Sequence, residues 1–147
     1  MKASVEIPAP VPEPQGKPRG STRGTIMVVE DEPGVRALIS SVLRGAGFEV
    51  VEAEDGEAAL AVGTERLDAV VTDVVMPGMS GTVLARRLRQ VHPGIPMLFV
   101  SGYAHDQRPG TLANMQGTAY LQKPFAPDEL VEKLRGLMDT APPKGRW

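Results

Sequence analysis

The sequence predicts an α/β fold, a doubly wound parallel sheet with helices on both faces. Short apolar, β-branched runs read as strands buried on both sides. Between them lie stretches with apolar residues at helical spacing. The two patterns alternate along the chain, which argues for a parallel sheet joined by right-handed crossovers.

The elements follow in order. Residues 1–24 carry Pro8, Pro10, Pro12, Pro14 and Pro18 with few large apolar side chains, so they are expected to form a disordered linker or tail. Thr25–Val29 is the first strand, ending in Glu30-Asp31-Glu32. Val35, Leu38, Ile39 and Val42 mark one face of the first helix, and Gly45 and Gly47 end it. Phe48–Glu52 is the second strand. Asp55-Gly56 turns into a short helix over 57–64. Val70–Thr72 is the third strand, and Asp73 stands at its carboxyl end. A loop with Pro77, Gly78 and Gly81 leads to a helix over 82–91, with Leu84, Leu88 and Val91 inward and Arg86, Arg87 and Arg89 largely outward. Met97–Val100 is the fourth strand, ending at Ser101-Gly102. Pro109-Gly110 interrupts the following helical pattern, leaving a short helix over 111–115. Thr118–Leu121 is the fifth strand, followed by Lys123-Pro124. The last helix starts at Pro127 and carries Leu130, Val131, Leu134, Leu137 and Met138. Residues 141–147 form a flexible end, so the folded domain spans 25–140.

The totals narrow the function classes. A chain of 147 residues with 41% hydrophobic and 23% charged residues suits one globular domain. A net charge of −2 gives no nucleic-acid footprint. With no cysteine, disulfides, thiol nucleophiles and thiolate metal sites are excluded. No apolar run reaches the ~18 residues of a membrane span, and the N-terminus lacks a signal-peptide core. The expected location is the cytoplasm, without membrane contact by this segment.

The polar residues at the strand ends can converge. Glu30 and Asp31 follow strand one, Asp73 ends strand three, Ser101 ends strand four and Lys123 follows strand five. In open α/β sheets that rim is where ligands bind. Neighbouring carboxylates repel, and a hard divalent cation relieves the repulsion. A carboxylate can act as a nucleophile toward phosphorus, and a lysine can hold phosphoryl oxygens. Taken singly, each residue has a plainer reading. Asp73 could cap a helix, Glu30 and Asp31 could be a surface charge run, Ser101 could be a satisfied strand-end hydroxyl, and Lys123 could be a solvated lysine. Tyr120 could simply pack. Met76 and Met79 are expected to pack, and His92 and His105 to lie exposed in loops.

Four motifs together are specific: Val28-Val29-Glu30-Asp31-Glu32, Asp73-Val74-Val75-Met76-Pro77-Gly78-Met79-Ser80-Gly81, Ser101-Gly102-Tyr103 and Lys123-Pro124-Phe125. In this order and spacing the sequence resembles the receiver domain of two-component response regulators, over roughly residues 25–140. The resemblance implies a flavodoxin-like (βα)5 fold with strand order 2-1-3-4-5. It implies that Asp73 is the phosphoacceptor. Asp31, Asp73 and the Val75 backbone carbonyl would bind Mg²⁺, with Glu30 acting mainly through a metal-bound water. Ser101 would be the switch hydroxyl, Lys123 the phosphate counter-charge and Tyr120 the switch aromatic. The Lys123-Pro124 bond would be cis. The implied partner is a histidine kinase or a histidine phosphotransfer protein. A homodimer through the face formed by the 111–115 helix, the fifth strand and the last helix is a habit of the family.

The sequence departs from the family pattern in three places. Glu30 stands where the family more often has Asp. Val75 and Tyr103 flank the expected phosphate without a charged or amide group, which would shield it from water. The break at Pro109-Gly110 alters the usual signalling face. No enzyme activity is expected beyond Mg²⁺-dependent self-phosphorylation and autodephosphorylation, and no output segment is expected after the last helix. The proline-rich tail and the wording of the Asp73 and Lys123 motifs resemble the C-terminal receiver of a hybrid sensor histidine kinase more than a stand-alone regulator. A phosphorylation-independent interaction module of the same fold is the first alternative. A small Asp-dependent phosphatase is the second, although it would want an acid where Val75 stands.

Overall fold

The computed structural model describes residues 24–102 and 117–139. Its elements are β1 (Thr25–Val29), α1 (Pro33–Gly45), β2 (Glu49–Ala53), α2 (Gly56–Val62), β3 (Ala69–Asp73), α3 (Gly81–Val91), β4 (Met97–Ser101), β5 (Thr118–Gln122) and α4 (Pro127–Asp139). The tails expected over 1–24 (Gly24 apart) and 141–147, the short helix at 111–115, Tyr103 and His105 lie outside the described residues.

The five strands are all parallel, in the order β2-β1-β3-β4-β5. This is the flavodoxin-like order. Side chains alternate across each strand. Met27, Val29, Val70, Met97 and Phe99 pack against Ala59 of α2 and Leu84, Ala85 and Leu88 of α3. Ile26, Val28, Val71, Leu98 and Val100 pack against Ile39 and Leu43 of α1 and Leu130, Leu134 and Leu137 of α4. Because both faces are covered, the strands read as unbroken apolar runs rather than alternating ones.

Local chemistry sets the helix ends. The Asp55 carboxylate accepts the Ala58 N–H at 2.8 Å and starts α2, and the Ser80 hydroxyl accepts the Val83 N–H at 3.2 Å and starts α3. Glu129 reaches back to the Ala126 N–H at 2.8 Å, half of a capping box ahead of α4. At the end of α1 the Phe48 N–H bonds the Leu43 carbonyl and the Gly47 N–H bonds the Arg44 carbonyl, with Gly47 at φ 102°. This is a Schellman motif, and Phe48 and Leu43 join the same apolar cluster.

Several expectations are corrected. Phe48 belongs to that motif, so β2 begins at Glu49 and ends at Ala53. The second helix stops at Val62, because Gly63 leaves it at φ 85°. Leu38 is 57% exposed, since α1 turns Ile39 and Leu43 inward and carries Leu38 round toward solvent. Val91, in the last turn of α3, is 72% exposed. Arg89 is not outward. Its guanidinium donates to the Ile95 carbonyl at 2.8 Å and the Gly117 carbonyl at 2.9 Å, tying the end of α3 to the start of β5. His92 is buried, because the turn after α3 folds it in beside Ile95.

Ser40 is fully buried in α1, and its hydroxyl has no hydrogen-bond partner among the described residues. Leaving a buried hydroxyl unpaired is costly, and alanine is the better helix former. Ser40→Ala should therefore raise unfolding stability by about 1 kcal/mol, read from the urea midpoint at unchanged slope.

Candidate functional site

The parallel sheet brings every strand's carboxyl end to one rim. The strand order reverses between β1 and β3, where a crevice opens. Glu30 leaves β1 with its N–H on the Ala53 carbonyl at 3.1 Å, which places it in line with the neighbouring β2. Asp73 ends β3, a strand buried along its whole length between β1 and β4. After it the chain folds back sharply. The Gly81 N–H donates to the Val74 carbonyl at 2.9 Å, and a Cβ on Gly81 would overlap the Asp73 carbonyl oxygen. Only glycine allows α3 to start this close to the acid.

The acids converge. Carboxylate oxygens of Glu30, Asp31 and Asp73 lie within 4.8 Å of one another. Glu30 is 1% exposed and Asp73 9%, while Asp31 is open to solvent. Lys123 reaches across from the end of β5, and its Nζ stands 3.3 Å from Glu30 Oε1 and 3.5 Å from Asp73 Oδ2. The other oxygens are held by the main chain: Glu32 N–H donates to Glu30 Oε2 at 3.2 Å and Val75 N–H to Asp73 Oδ1 at 3.3 Å. Burial raises the Glu30 pKa, and the nearby Asp73 charge raises it further. Lys123 and the Glu32 N–H oppose the shift without cancelling it.

The remaining expected residues fall around this centre. Ser101 is buried at the end of β4, one residue beyond the partner of Asp73, and its carbonyl accepts the Lys123 N–H at 2.7 Å. The Lys123-Pro124 bond is cis. Val75 is 56% exposed beside Asp73. Tyr120 sits further back, opposite Phe99 in the β4–β5 pairing, and packs against the cluster under α2 and α3. Its hydroxyl is buried with no hydrogen-bond partner among the described residues. Met76 is buried and Met79 packs against the same cluster.

One residue at the site escaped the sequence reading. Arg36 Nη1 donates to the Glu30 carbonyl at 2.7 Å, and its Nε stands 3.4 Å from Glu52 Oε1. The available signal was its position. A cation near the start of a helix opposes the macrodipole unless a specific partner holds it.

Chemically, three carboxylates against one ammonium leave a negative excess. Oxygen donors of this kind suit a hard divalent cation with open positions for water or phosphate. Asp73 is also a nucleophile with a lysine beside it.

The response regulator receiver domain model matches residues 26–135. The transcriptional regulatory protein TcrX of Mycobacterium tuberculosis is 38% identical over 117 residues, covering 78% of this chain and 49% of its own length. The sensor kinase CckA of Brucella abortus is 39% identical over 118 residues, covering 78% of this chain and 12% of its own. The chain thus spans about half of the first relative and about an eighth of the second. Among solved structures, the response regulator TrrA of Thermotoga maritima in complex with Mg²⁺–BeF superposes with a TM-score of 0.68 at 34% identity, covering 78% of this chain and 98% of its own. No helix among the described residues is long and apolar enough to cross a membrane.

The raised Glu30 pKa gives a stability prediction. The folded state binds the Glu30 proton more tightly than the unfolded chain does. That contribution is fully present below the ordinary value of 4.5 and is lost as pH rises through the raised folded value. With that contribution lost at higher pH and no divalent cation bound, Glu30→Gln should be the more stable protein. Urea unfolding in chelator should show this advantage at pH 7.5 and show it shrinking toward pH 4.5. Equal stability at both pH values would contradict it.

Proposed function

The chain belongs to the response regulator receiver domain family, and we propose that it takes a phosphoryl group from a phosphohistidine onto Asp73. The observation that carries this reading is Asp73 at the carboxyl end of β3, with Lys123 Nζ 3.5 Å from one of its oxygens and two further acids beside it. A carboxylate oxygen of Asp73 attacks phosphorus in line. An O–P bond forms, the N–P bond of the donor breaks, and the electron pair returns to the imidazole nitrogen. Lys123 holds the equatorial phosphoryl oxygens, so catalysis is positioning and charge stabilisation.

Asp31, Asp73 and the Val75 carbonyl oxygen would hold Mg²⁺, with Glu30 acting through a bound water. The negative excess at these residues supports that assignment. Bound there, Mg²⁺ supplies charge neutralisation for the transferring group. The Mg²⁺–BeF complex of TrrA belongs to that protein and supports the same assignment here.

The acquired charge draws Ser101 and Lys123 toward the phosphoryl group and shifts a pre-existing equilibrium between two conformations. Tyr120 is the reporter. A buried hydroxyl with no described partner loses little by moving with Ser101. The donor is a histidine kinase or a histidine phosphotransfer protein, and the setting is the cytoplasm. The match to one eighth of a sensor kinase supports the hybrid-kinase receiver reading.

Asp73→Asn should abolish Mg²⁺-dependent labelling from a small phosphodonor or a phosphorylated partner; persistent labelling would place the acceptor elsewhere.

Val75 sets the lifetime of the product, because a solvent-facing isopropyl group beside Asp73 orients no water. Val75→Asn should shorten the acyl-phosphate half-life several-fold in a chase of radiolabelled protein. An unchanged half-life would remove Val75 from that role.

A further inference from the structure

We propose that Arg36 is a positioning residue for the divalent-cation site, fixing the peptide plane from which Glu30 and Asp31 project. The inference rests on the receiver reading and adds a residue to it.

Consider what holds Glu30. Its N–H bonds the Ala53 carbonyl at 3.1 Å. Its two carboxylate oxygens meet Lys123 at 3.3 Å and the Glu32 N–H at 3.2 Å. Its carbonyl oxygen is taken by Arg36 Nη1 at 2.7 Å, the shortest of these contacts and one with a charged donor. That carbonyl belongs to the rigid peptide unit joining Glu30 to Asp31. Pinning the oxygen sets the direction in which the Asp31 carboxylate leaves the strand. Arg36 is itself braced. Its Nε faces Glu52 Oε1 at 3.4 Å, and Glu52 is held in turn by Arg44 Nη2 at 3.5 Å. Glu52 pairs with Val28 in the sheet, so the brace rests on the β1–β2 ladder rather than on a loop. A planar fork can serve the carbonyl and the carboxylate together, which a single ammonium cannot do as well.

Positioning and plain electrostatics predict opposite signs. If Arg36 were only a nearby positive charge, removing it would make the acidic cluster more negative and tighten cation binding. If it positions the ligands, removing it leaves them to be ordered at the moment of binding, and affinity falls. Losing such an outer partner typically costs tenfold or more in metal affinity.

The experiment is calorimetric titration of the full chain with Mg²⁺ at fixed ionic strength, paired with amide exchange of the metal-free protein. Arg36→Met should bind Mg²⁺ about tenfold more weakly. Arg36→Lys keeps the charge and the stem, so it should fold and should still bind less tightly than the parent. In both variants the Glu32 amide, which bonds the Glu30 carboxylate, should exchange faster while those of Val28 and Leu98 keep their protection. Unchanged or tighter Mg²⁺ binding in the folded variants, or a uniform loss of protection across the sheet, would overturn the proposal while leaving the receiver reading intact. Absence of Mg²⁺ binding by the parent protein would overturn both.

Discussion

One ammonium group serves two buried carboxylates. Lys123 Nζ stands within 3.5 Å of both Glu30 and Asp73, and Asp31 adds a third acid to the cluster. Like charges in a partly dehydrated crevice repel more strongly than they would in water. Burial and then the Asp73 charge raise the Glu30 pKa, and Lys123 opposes them without cancelling the shift. The surrounding structure therefore has to hold the acids together against their repulsion. Main-chain N–H groups of Glu32 and Val75 each take one oxygen, and the cost is carried by a sheet whose inner strands are fully packed on both faces. A site kept negative at such expense is organised for something positive to arrive.

The sheet topology makes this arrangement possible. Parallel strands put all their carboxyl ends on one rim, so residues far apart in sequence become neighbours without any special loop. The order β2-β1-β3-β4-β5 places β1 beside β3, bringing the exit of one strand against the end of the other. Lys123 comes from β5, two strands away from β3, and needs its long flexible stem to span β4. Ser101 fills the intervening position at the end of β4, and its carbonyl anchors the Lys123 backbone at 2.7 Å. A main-chain hydrogen bond thus joins the residue that carries the hydroxyl to the residue that carries the cation.

The readable parts of the sequence were those governed by periodicity and strand ends. Unbroken apolar runs marked the strands, and Asp73, Glu30, Ser101 and Lys123 followed from where those runs stop. The residues could not rank the strands across the sheet. That order came from the resemblance, because crossover rules fix handedness but not which strands are neighbours. Arg89 was placed outward and Arg36 was given no role, and one physical point bears on both. A periodicity argument assigns arginine to the solvent face, yet its stem can lie along the protein and deliver the guanidinium to backbone carbonyls. Leu38 and Val91 show the converse. An apolar stripe can be wider than the face a helix buries, and the rotation that chose Ile39 and Leu43 over Leu38 was set by the α1–α4 side of the core.

Glu30 ties the site's chemistry to its geometry. Its carboxylate meets both Lys123 and the Glu32 N–H from within the crevice. Lys123 is divided between Glu30 and Asp73. In the proposed reaction the phosphoryl group on Asp73 is the stronger claimant, because it concentrates more charge and offers more oxygens. Glu30 then gives up part of its counter-charge just as the site becomes more negative. A divalent cation met through water would answer that demand. In that proposed reaction the Glu30 backbone would have to stay still while its side chain changes partners. The Arg36 bond to the Glu30 carbonyl acts at that point.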